Sequence, residues 1–513
     1  MRMVFRPNIL VVVLFALGFL VRLASPVTAQ ERGEDLLRTL KIKVAQVSRE
    51  ASPSIACIYV SRSEDYFTAP HWGVTPAEKG NGSLGRFDAA EAIKKVPANA
   101  PFRERILETI KQHDLSEPDH VPESYGSGIV IDRTGLVLTN AHVVKDATRV
   151  YVKLPGQRGC WANIHASDPR SDMAVLKLLD APANLGALPL GDAGPVRTGQ
   201  FVISLCNAFA PGFRGNEDPT VGYGLISNLR RRIPGNTSEM ERSKVTLHHY
   251  GTLIQTDAQT APGCSGGALL DLDGKVIGLT TTMAGIRGDR PGGFAIPIDA
   301  NTQRIIEVLR RGEEVEYGFL GVILQPNPGP GVRLWRVSAE SPAARAGLSH
   351  GDQILTINGN PIRENDDLFL YVGMGLAGST AKVEVGRGFS ARSTQVIPIK
   401  LTKYYVPGSI IASRRPPARF GLRVDYTSIL GQRNPFPSWN RGPPDGVIVR
   451  EVLPCSPADV ARLQPDKVIT QVNGKPVTSP AEYYEEVARS GKKVKLTFLT
   501  SEGRPEQLTL EEP

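Results

Sequence analysis

The stretch GTLIQTDAQTAPGCSGGALLDLDGKVIGLTTT, residues 251–282, decides the fold of this chain. It contains two apolar segments, 252–255 and 268–272, whose alternating pattern predicts β-strands. The loop between them has glycines on both sides of Ser265, so the backbone can turn sharply and direct its N–H groups into one small space. A serine nucleophile with an oxyanion hole requires that arrangement. The same loop also fits a glycine-rich turn with a surface serine, and residues upstream must distinguish the two.

The length and composition of the chain predict a globular protein of several domains. At ~150 residues per domain, 513 residues correspond to about three domains. The apolar and charged fractions, 41% and 22%, are ordinary for globular proteins and argue against a disordered chain or a coiled coil. The formal net charge of +8 is spread along the sequence, so we expect a solvated surface and no nucleic-acid partner.

The N-terminus has the pattern of an export signal. Basic residues precede an apolar run at 9–21, and the small residues Val27-Thr28-Ala29 suit a signal peptidase. We therefore predict a signal peptide over residues 1–29 and a location in the periplasm or another extracytoplasmic space. A retained anchor is the alternative and would leave the protein membrane-associated, but the apolar run is short for a span of ~20 residues.

The five cysteines, at positions 57, 160, 206, 264 and 455, show no disulfide framework or zinc motif. An oxidising compartment would allow a pair such as Cys160 with Cys206. The adjacent His248 and His249 could be metal ligands, but no further ligand pattern accompanies them, and we interpret them as a pair of loop residues. We expect neither a metal nor a cofactor.

The first part of the chain predicts a mainly β domain, which we place at residues 30–313. A helix is expected at 31–50, and residues 64–124 form an insertion with helical patches near 89–95 and 102–112. Short strands with turn signals and no intervening helices predict an all-β barrel or sandwich, and a helix at 299–311 follows it. The predicted strands lie at 54–61, 128–131, 136–139, 149–154, 173–178, 200–205 and 222–227.

An internal repeat occupies the rest of the chain. The segment GVRLWRVSAESPAARAGLSHGDQILTINGNPI at 331–362 is echoed by GVIVREVLPCSPADVARLQPDKVITQVNGKPV at 446–477, which is 115 residues further on. Two copies of ~90 residues are too few for a solenoid, so we predict two tandem α+β modules. We call 314–402 the first module and 419–513 the second module; residues 403–418, which include SRRPPAR, are predicted to be a semi-rigid linker.

Two residues upstream of the quoted stretch and one residue within it form a candidate catalytic triad. His142 follows a strand in LTNAHVV, Asp172 precedes one in SDMAVLKL, and Ser265 lies in the glycine-rich loop. Serine catalysis needs a base to take the hydroxyl proton and an acid to orient that base, and the order His, Asp, Ser is that of a chymotrypsin-like double barrel. Each residue alone has an ordinary structural explanation. Asp168 and His165 are rivals, but neither has the flanking pattern.

These motifs resemble the HtrA/DegP (protease Do) family of exported trypsin-like serine proteases. The blocks GSGIVI, LVLTNAHVV, SDMAVLKL, IQTDAQTAPGCSGGALL, GKVIGLTT and GGFAIPID occur in the order of that family, and the two modules resemble its PDZ domains. The resemblance implies a double β-barrel protease domain followed by two PDZ domains. It also implies that the 64–124 insertion is a regulatory loop over the active site.

The resemblance assigns roles to individual residues. His142 would be the general base and acid, Asp172 would orient it, and Ser265 would attack the scissile carbonyl. The N–H groups of Gly263 and Ser265 would form the oxyanion hole, with Cys264 contributing part of the loop. The first module would bind a peptide carboxylate through the loop YGFLGV, namely Tyr317, Gly318, Phe319, Leu320 and Gly321.

The chain departs from the family pattern at two places. Cys264 and Ala268 flank Ser265-Gly266-Gly267 where the family has asparagine and proline, and a thiol at Cys264 could make the activity sensitive to redox conditions. The second module has Asp466-Lys467 where the first has Gly351-Asp352, and its loop, RFGLRV, is a poorer carboxylate binder. We expect the second module to dock or regulate rather than to grip peptides.

The sequence therefore predicts a serine endopeptidase of extracytoplasmic protein quality control. Its substrates would be unfolded or misfolded polypeptides. The first module would bind C-terminal peptides, either to capture substrates or to regulate the activity. By resemblance, it would assemble as a trimer or a multiple of trimers. The alternative is a chaperone or PDZ scaffold with a protease fold and negligible catalysis. The complete triad argues against this alternative, and the altered loop around Cys264 argues for it.

Overall fold

The computed structural model describes residues 29–512 apart from 65–81, 85, 117–121, 158, 209–217, 233–245, 282–292, 326–330, 389–392, 409, 434–443 and 501–502. Residues 1–28 of the predicted signal peptide lie outside the described residues. None of the helices in the described part of the chain combines the length and the apolar character needed to cross a membrane.

The helices are few and mostly lie at domain boundaries or within the modules. They are α1 (Ala29–Ala51), α2 (Ala89–Lys95), α3 (Arg103–Gln112), α4 (Ala300–Arg310), α5 (Pro342–Arg345), α6 (Asn365–Met374), α7 (Ser428–Arg433), α8 (Pro457–Val460) and α9 (Pro480–Arg489).

The strands form two barrels and two smaller sheets. The protease region contains β1 (Ile55–Ser61), β2 (Ser124–Asp132), β3 (Leu136–Thr139), β4 (Arg149–Lys153), β5 (Cys160–Asp168), β6 (Met173–Leu178), β7 (Phe201–Cys206), β8 (Thr220–Arg231), β9 (Leu253–Thr256), β10 (Ala268–Leu270), β11 (Val276–Thr281) and β12 (Gly293–Pro297). The C-terminal region contains β13 (Gly318–Phe319), β14 (Val322–Gln325), β15 (Val332–Val337), β16 (Gln353–Ile357), β17 (Asn360–Pro361), β18 (Thr380–Gly386), β19 (Thr394–Lys400), β20 (Thr402–Lys403), β21 (Ile411–Ala412), β22 (Leu422–Tyr426), β23 (Val447–Val452), β24 (Val468–Val472), β25 (Lys475–Pro476), β26 (Lys493–Leu499) and β27 (Pro505–Glu511).

Each barrel closes from six antiparallel strands. The first has the order β5-β4-β1-β2-β3-β6 and closes through pairing of β5 with β6. The second has the closed order β10-β11-β12-β9-β8-β7. The expectation of a mainly β, double-barrel domain is therefore confirmed.

Three barrel strands, β11, β12 and β5, were not predicted from the strand pattern. Strand β5 has a distinctive pattern of burial. Along its nine residues every second side chain is buried and the others are half-buried. Its half-buried residues include Asn163, His165 and Ser167, and its buried residues include two alanines. This composition resembles a polar turn more than a strand. In the structure, neighbouring segments partly cover the polar side of β5, so buried and half-buried side chains alternate as they do along a strand.

The insertion packs on the outside of the first barrel. Its helices α2 and α3 match the predicted helical patches, and their core includes Phe87, whose ring lies 6.5 Å from that of Trp161 on β5. The carbonyl of Gly82 accepts a hydrogen bond from the backbone N–H of Ile164 at 2.9 Å. Residues 65–81 and 117–121 lie outside the described residues, so a regulatory loop over the active site stays a prediction.

Helix α4 joins the barrels to the modules. The side chain of Asp299 accepts hydrogen bonds from the N–H groups of Asn301 and Thr302, at 3.0 and 2.9 Å, which caps the helix. Gly312 follows with a φ of 73°, as expected for a residue that ends a helix. The predicted helix is confirmed, and its buried face joins a core shared with both barrels.

The two modules share one topology, which confirms the internal repeat. Their sheets have the orders β14-β15-β16-β18-β19 and β22-β23-β24-β26-β27. The short helices α5 and α8 both begin at a Ser-Pro pair, where Ser341 and Ser456 are the N-caps. In each module a longer helix, α6 or α9, accompanies the edge strand that follows the predicted carboxylate loop.

The predicted linker is anchored at both ends. Strand β20 pairs with β13 of the first module, and β21 extends the first barrel by pairing with β5. The buried ammonium of Lys403 lies 2.8 Å from a carboxylate oxygen of Glu314, 3.2 Å from Glu316 and 3.0 Å from Asp425. Burial alone would lower the pKa of Lys403, but the three carboxylates outweigh it and raise that pKa. This ion cluster fixes the second module against the first.

Candidate active site

The predicted base and acid are in direct contact. The ring nitrogen Nδ1 of His142 lies 2.8 Å from Oδ2 and 3.0 Å from Oδ1 of Asp172, and the backbone N–H of His142 donates to Oδ1 at 3.0 Å. Because a carboxylate can only accept, Nδ1 must carry the ring proton. The other nitrogen, Nε2, is therefore left as a base, on a side chain that is 45% exposed.

The backbone holds Asp172 in place. It begins the turn into β6 with a φ of 55°, a conformation that non-glycine residues seldom adopt. Its carbonyl accepts hydrogen bonds from the N–H of Ala141 at 3.1 Å and from the side-chain amide of Asn140 at 3.0 Å. These bonds tie the segment before β6 to the segment that contains His142, so the acid and base come from two neighbouring strands.

The carboxyl group of Asp172 is held in its ionised form. Burial by itself would raise its pKa, but hydrogen bonds from His142 and from His248 lower the pKa to about 2. A permanent negative charge is what an imidazole needs in order to take up a proton during a reaction.

The predicted nucleophile lies on a tightly bonded loop between β9 and β10. The carbonyl of Ser265 accepts from the N–H of Ser127 at 2.7 Å, and the N–H of Gly266 donates to the carbonyl of Thr280 at 2.8 Å. Gly266 has a φ of 88°, and a Cβ there would lie 2.1 Å from the carbonyl oxygen of Ser127. Only glycine allows this approach, which presses the loop onto β2.

The same point of β2 also contacts the segment that contains His142. A Cβ at Gly126 would lie 2.7 Å from a side-chain methyl of Val143 and 3.2 Å from the carbonyl oxygen of Ser265. The base segment and the nucleophile loop therefore both pack against Gly126 on β2. This common contact places the segment that contains His142 and the loop that contains Ser265 on the same point of β2.

The predicted oxyanion loop forms a tight turn. Gly263 has a φ of 94°, and its carbonyl accepts from the hydroxyl of Ser127 at 2.7 Å. The N–H of Cys264 donates to the carbonyl of Ala261 at 3.0 Å. Because its N–H is already occupied, Cys264 contributes to the structure of the loop, and the donor roles of Gly263 and Ser265 stay a prediction.

Cys264 is also not a free thiol. It forms a disulfide with Cys206, the last residue of β7, and both residues are buried. The suggested pair of Cys160 with Cys206 was therefore wrong, and Cys160 is a buried free thiol. The cross-link joins the residue before the predicted nucleophile to the wall of the second barrel.

The two rival residues have other partners. The carboxyl of Asp168 accepts hydrogen bonds from the hydroxyls of Ser171 and Tyr317. The ring of His165 lies 3.0 Å from the carbonyl of Arg310 and 2.8 Å from the hydroxyl of Ser413. Both rivals thus connect the first barrel to later parts of the chain.

One residue of the site was missed. Nε2 of His248 lies 3.5 Å from Oδ2 of Asp172, and the side chain is buried. His248 was interpreted as one of two loop residues, because nothing in its local sequence points to a partner 76 residues away. Across the described ranges, no group of three or more His, Cys, Asp and Glu side chains could hold a metal ion.

The predicted peptide loop of the first module lines a groove of about 520 Å³ between β14 and α6. Gly318, Phe319, Leu320 and Gly321 line it, and two protease residues, Arg170 and Tyr250, contribute to its wall. As a correction, Tyr317 is fully buried and directs its hydroxyl to Asp168. Its role is to dock the module onto the protease region rather than to line the groove.

Family models match three parts of the chain. A trypsin-like peptidase domain matches residues 126–279, and PDZ domains match residues 318–397 and 448–500. Together with the double barrel, these matches define a trypsin-like serine peptidase that carries two PDZ domains.

Two similar proteins share the name "Probable periplasmic serine endoprotease DegP-like". The one from Pseudomonas fluorescens is 32% identical over 378 residues, which cover 71% of this chain and 74% of the relative. The one from Ectopseudomonas mendocina is 31% identical over 450 residues, which cover 85% and 86%. A solved structure, "HtrA-type protease AlgW with tripeptide", is 26% identical with a TM-score of 0.48 and covers 71% of this chain and 98% of its own. The chain belongs to the HtrA/DegP family of serine endoproteases and is a serine-type endopeptidase.

Proposed function

We propose that this endopeptidase cleaves unfolded or misfolded proteins through Ser265, His142 and Asp172, and that the first module captures their chain ends. The contact between His142 and Asp172 is the observation that supports this most strongly. It fixes the tautomer in which Nε2 can accept a proton.

The chemistry follows from that tautomer. The hydroxyl oxygen of Ser265 attacks the scissile carbonyl carbon while its proton passes to Nε2 of His142, and Asp172 stabilises the resulting imidazolium. The N–H groups of Gly263 and Ser265 stabilise the oxyanion of the tetrahedral intermediate. His142 then protonates the leaving amine, and a water molecule, activated by the same base, releases the acyl group.

Peptide capture by the first module is supported by its open groove. Strand β14 is an edge strand of its sheet, so an extended peptide can pair with it. Ile323 on β14 is 41% exposed, and Phe369 on α6 is equally exposed across the groove. Gly321, with a φ of 82°, allows the tight loop, because a Cβ there would lie 2.2 Å from the side chain of Ser341.

The second module has its corresponding edge occupied by its own side chain. The hydroxyl of Tyr484 on α9 accepts a hydrogen bond from the N–H of Val424 at 3.1 Å and lies 3.5 Å from the carbonyl of the same residue. Val424 is on β22, the edge strand of that sheet. In the repeat, Phe369 occupies the position of Tyr484 and has no hydroxyl. These contacts support docking rather than peptide binding by the second module.

Regulation through the first module has a structural route. Helix α6 lines the groove, and the ring of Phe369 on α6 lies 6.3 Å from that of Tyr250. Arg170, in the groove wall, lies two residues before Asp172 and stacks over Tyr317 and Tyr404. A peptide in the groove would therefore contact Arg170, two residues before Asp172, and Tyr250, two residues after His248.

The cellular setting follows from the relatives and from the N-terminal signal. Proteins of the same family are named periplasmic, and the basic and apolar pattern of residues 1–29 fits export. We propose extracytoplasmic quality control as the role. Assembly into trimers stays a prediction from the family resemblance.

A fluorophosphonate probe together with denatured casein tests the proposal. The wild-type chain should be labelled at Ser265 and cleave casein, whereas Ser265→Ala should lose labelling and roughly 10⁶-fold in turnover. His142→Ala should also lose labelling, and the rival base variant, His165→Ala, should keep it. A folded wild-type chain that binds casein but is not labelled would instead be a protease-fold chaperone or scaffold.

A further inference from the structure

His248 lies on a short 3-10 turn, Leu247–Tyr250, that is tied to the segment of the catalytic acid. The N–H of Leu247 donates to the carbonyl of Arg170 at 2.8 Å, and the carbonyl of Leu247 accepts from the hydroxyl of Thr252 at 3.1 Å. These bonds hold the imidazole of His248 beside Asp172. The side chain is only 6% exposed, so the contact is shielded from water.

The contact defines how His248 is protonated. Nε2 faces Oδ2 of Asp172 at 3.5 Å, and since a carboxylate oxygen only accepts, Nε2 must carry the proton. Nδ1 is buried and has no hydrogen-bond partner among the described residues. A proton on Nδ1 would be a buried N–H without a partner among the described residues, which costs more than an unsatisfied lone pair.

We infer that His248 is a positioning residue for catalysis: its Nε2–H holds the second carboxylate oxygen of Asp172 and shares its negative charge. The first oxygen is already fixed by the backbone N–H of His142. Without His248, Oδ2 would keep the ring of His142 as its hydrogen-bond partner. The distance of 3.5 Å is long, as hydrogen bonds at catalytic sites without substrate often are. The inference rests on the proposed function, because His248 acts only through Asp172.

The arrangement predicts how the activity depends on pH. A second donor takes up part of the negative charge of Asp172 that would otherwise stabilise a positive charge on the ring of His142. Removing the donor from His248 should therefore move the acidic limb of the kcat/KM profile to higher pH. Other charged or titratable groups also face this region, from the segments before β6, β7 and α4, from β8 and from α6. They are Asp168 and Arg170 before β6, Arg197 before β7, Arg230 on β8 with its partner Asp367 on α6, Tyr371 on α6, and Asp299 before α4.

Two variants separate positioning from packing. His248→Gln places an amide N–H near the position of Nε2, and His248→Leu fills the space without a donor. The adjacent His249 provides the matched control, His249→Leu. All three are compared with the wild-type chain in kcat and KM on a peptide substrate across pH, with thermal unfolding measured in parallel.

His248→Leu should lower kcat about tenfold with little change in KM and shift the acidic limb upward. His248→Gln should retain most of the activity, and His249→Leu should behave as wild type. Equal losses in His248→Leu and His248→Gln with an unmoved pH profile would overturn the inference. Fluorophosphonate labelling of the wild-type chain tests the proposed function separately, because it depends on Ser265 and His142 and is measured with His248 unchanged. A labelled wild-type chain with equal losses in both variants would contradict only the inference about His248.

Discussion

The hydroxyl of Tyr317 donates a hydrogen bond to the buried carboxyl of Asp168, which joins the first module to the segment that ends at Asp172. Burial raises the pKa of Asp168, since the charged form is poorly solvated there. Arg170 stacks over the ring of Tyr317, with its guanidinium carbon 5.1 Å from the ring centre. Together these contacts make the module boundary a packed interface rather than a flexible joint.

Tyr317→Phe should destabilise this interface while leaving its packing intact. The variant removes one hydrogen bond to a fully buried carboxyl group, so we expect the free energy of unfolding to fall by about 1–2 kcal/mol. Chemical denaturation measures the change. Tyr223→Phe is the control, because Tyr223 is 67% exposed and its free energy of unfolding should change by less than about 0.5 kcal/mol. Equal effects from both variants would contradict the interpretation.

Reduction of the Cys206–Cys264 disulfide should weaken both stability and turnover. The cross-link closes a segment of 58 residues, and the chain-entropy model assigns about 4 kcal/mol to a loop of that size. Because Cys264 precedes Ser265, release of the loop should also lower kcat. Denaturation and peptide cleavage are measured with and without dithiothreitol.

The double variant Cys206→Ala/Cys264→Ala is the control for that experiment. It should resemble the reduced wild-type chain and show no response to dithiothreitol, since Cys57, Cys160 and Cys455 form no disulfide. A wild-type chain whose unfolding midpoint is the same in both conditions would show that the bond makes no contribution.

Tyr484→Phe should open the edge of the second module. Loss of the hydroxyl releases the N–H of Val424, which then resembles the open edge of the first module. Titration with a peptide that has a free C-terminal carboxylate should give one site per wild-type chain and up to two in the variant. An amidated peptide is the control for carboxylate recognition. Unchanged stoichiometry would mean that other contacts also close the second groove.

The pKa of Asp172 predicts a loss of stability in acid. Its folded value of about 2 is below the ordinary 3.8, so its contribution is fully present above about pH 4 and is lost as the pH falls toward 2. In a Ser265→Ala background, which prevents self-digestion, the difference in unfolding free energy from Asp172→Asn should shrink by on the order of 2 kcal/mol over that range. A difference that stays constant from pH 6 to pH 2 would contradict an ionised, hydrogen-bonded Asp172.

The sequence by itself determined most of the barrel strands, the helix before the modules, the repeat, and the order of His142, Asp172 and Ser265. These follow from local patterns, because apolar periodicity, turn residues and glycines act over a few neighbouring positions. Strand β5 escaped prediction because its polar residues are covered only by segments distant in sequence.

Only the tertiary structure decided which distant atoms meet. It paired Cys206 with Cys264 rather than with Cys160, turned Tyr317 toward Asp168 rather than the groove, and brought His248 to Asp172. Each of these is a contact of a few ångströms between residues many positions apart, and it depends on the packing of whole barrels and modules. The residues next to a side chain in the sequence do not show which distant side chain it will contact. Several partners would be chemically suitable, and the packing of the whole fold determines which one lies within reach.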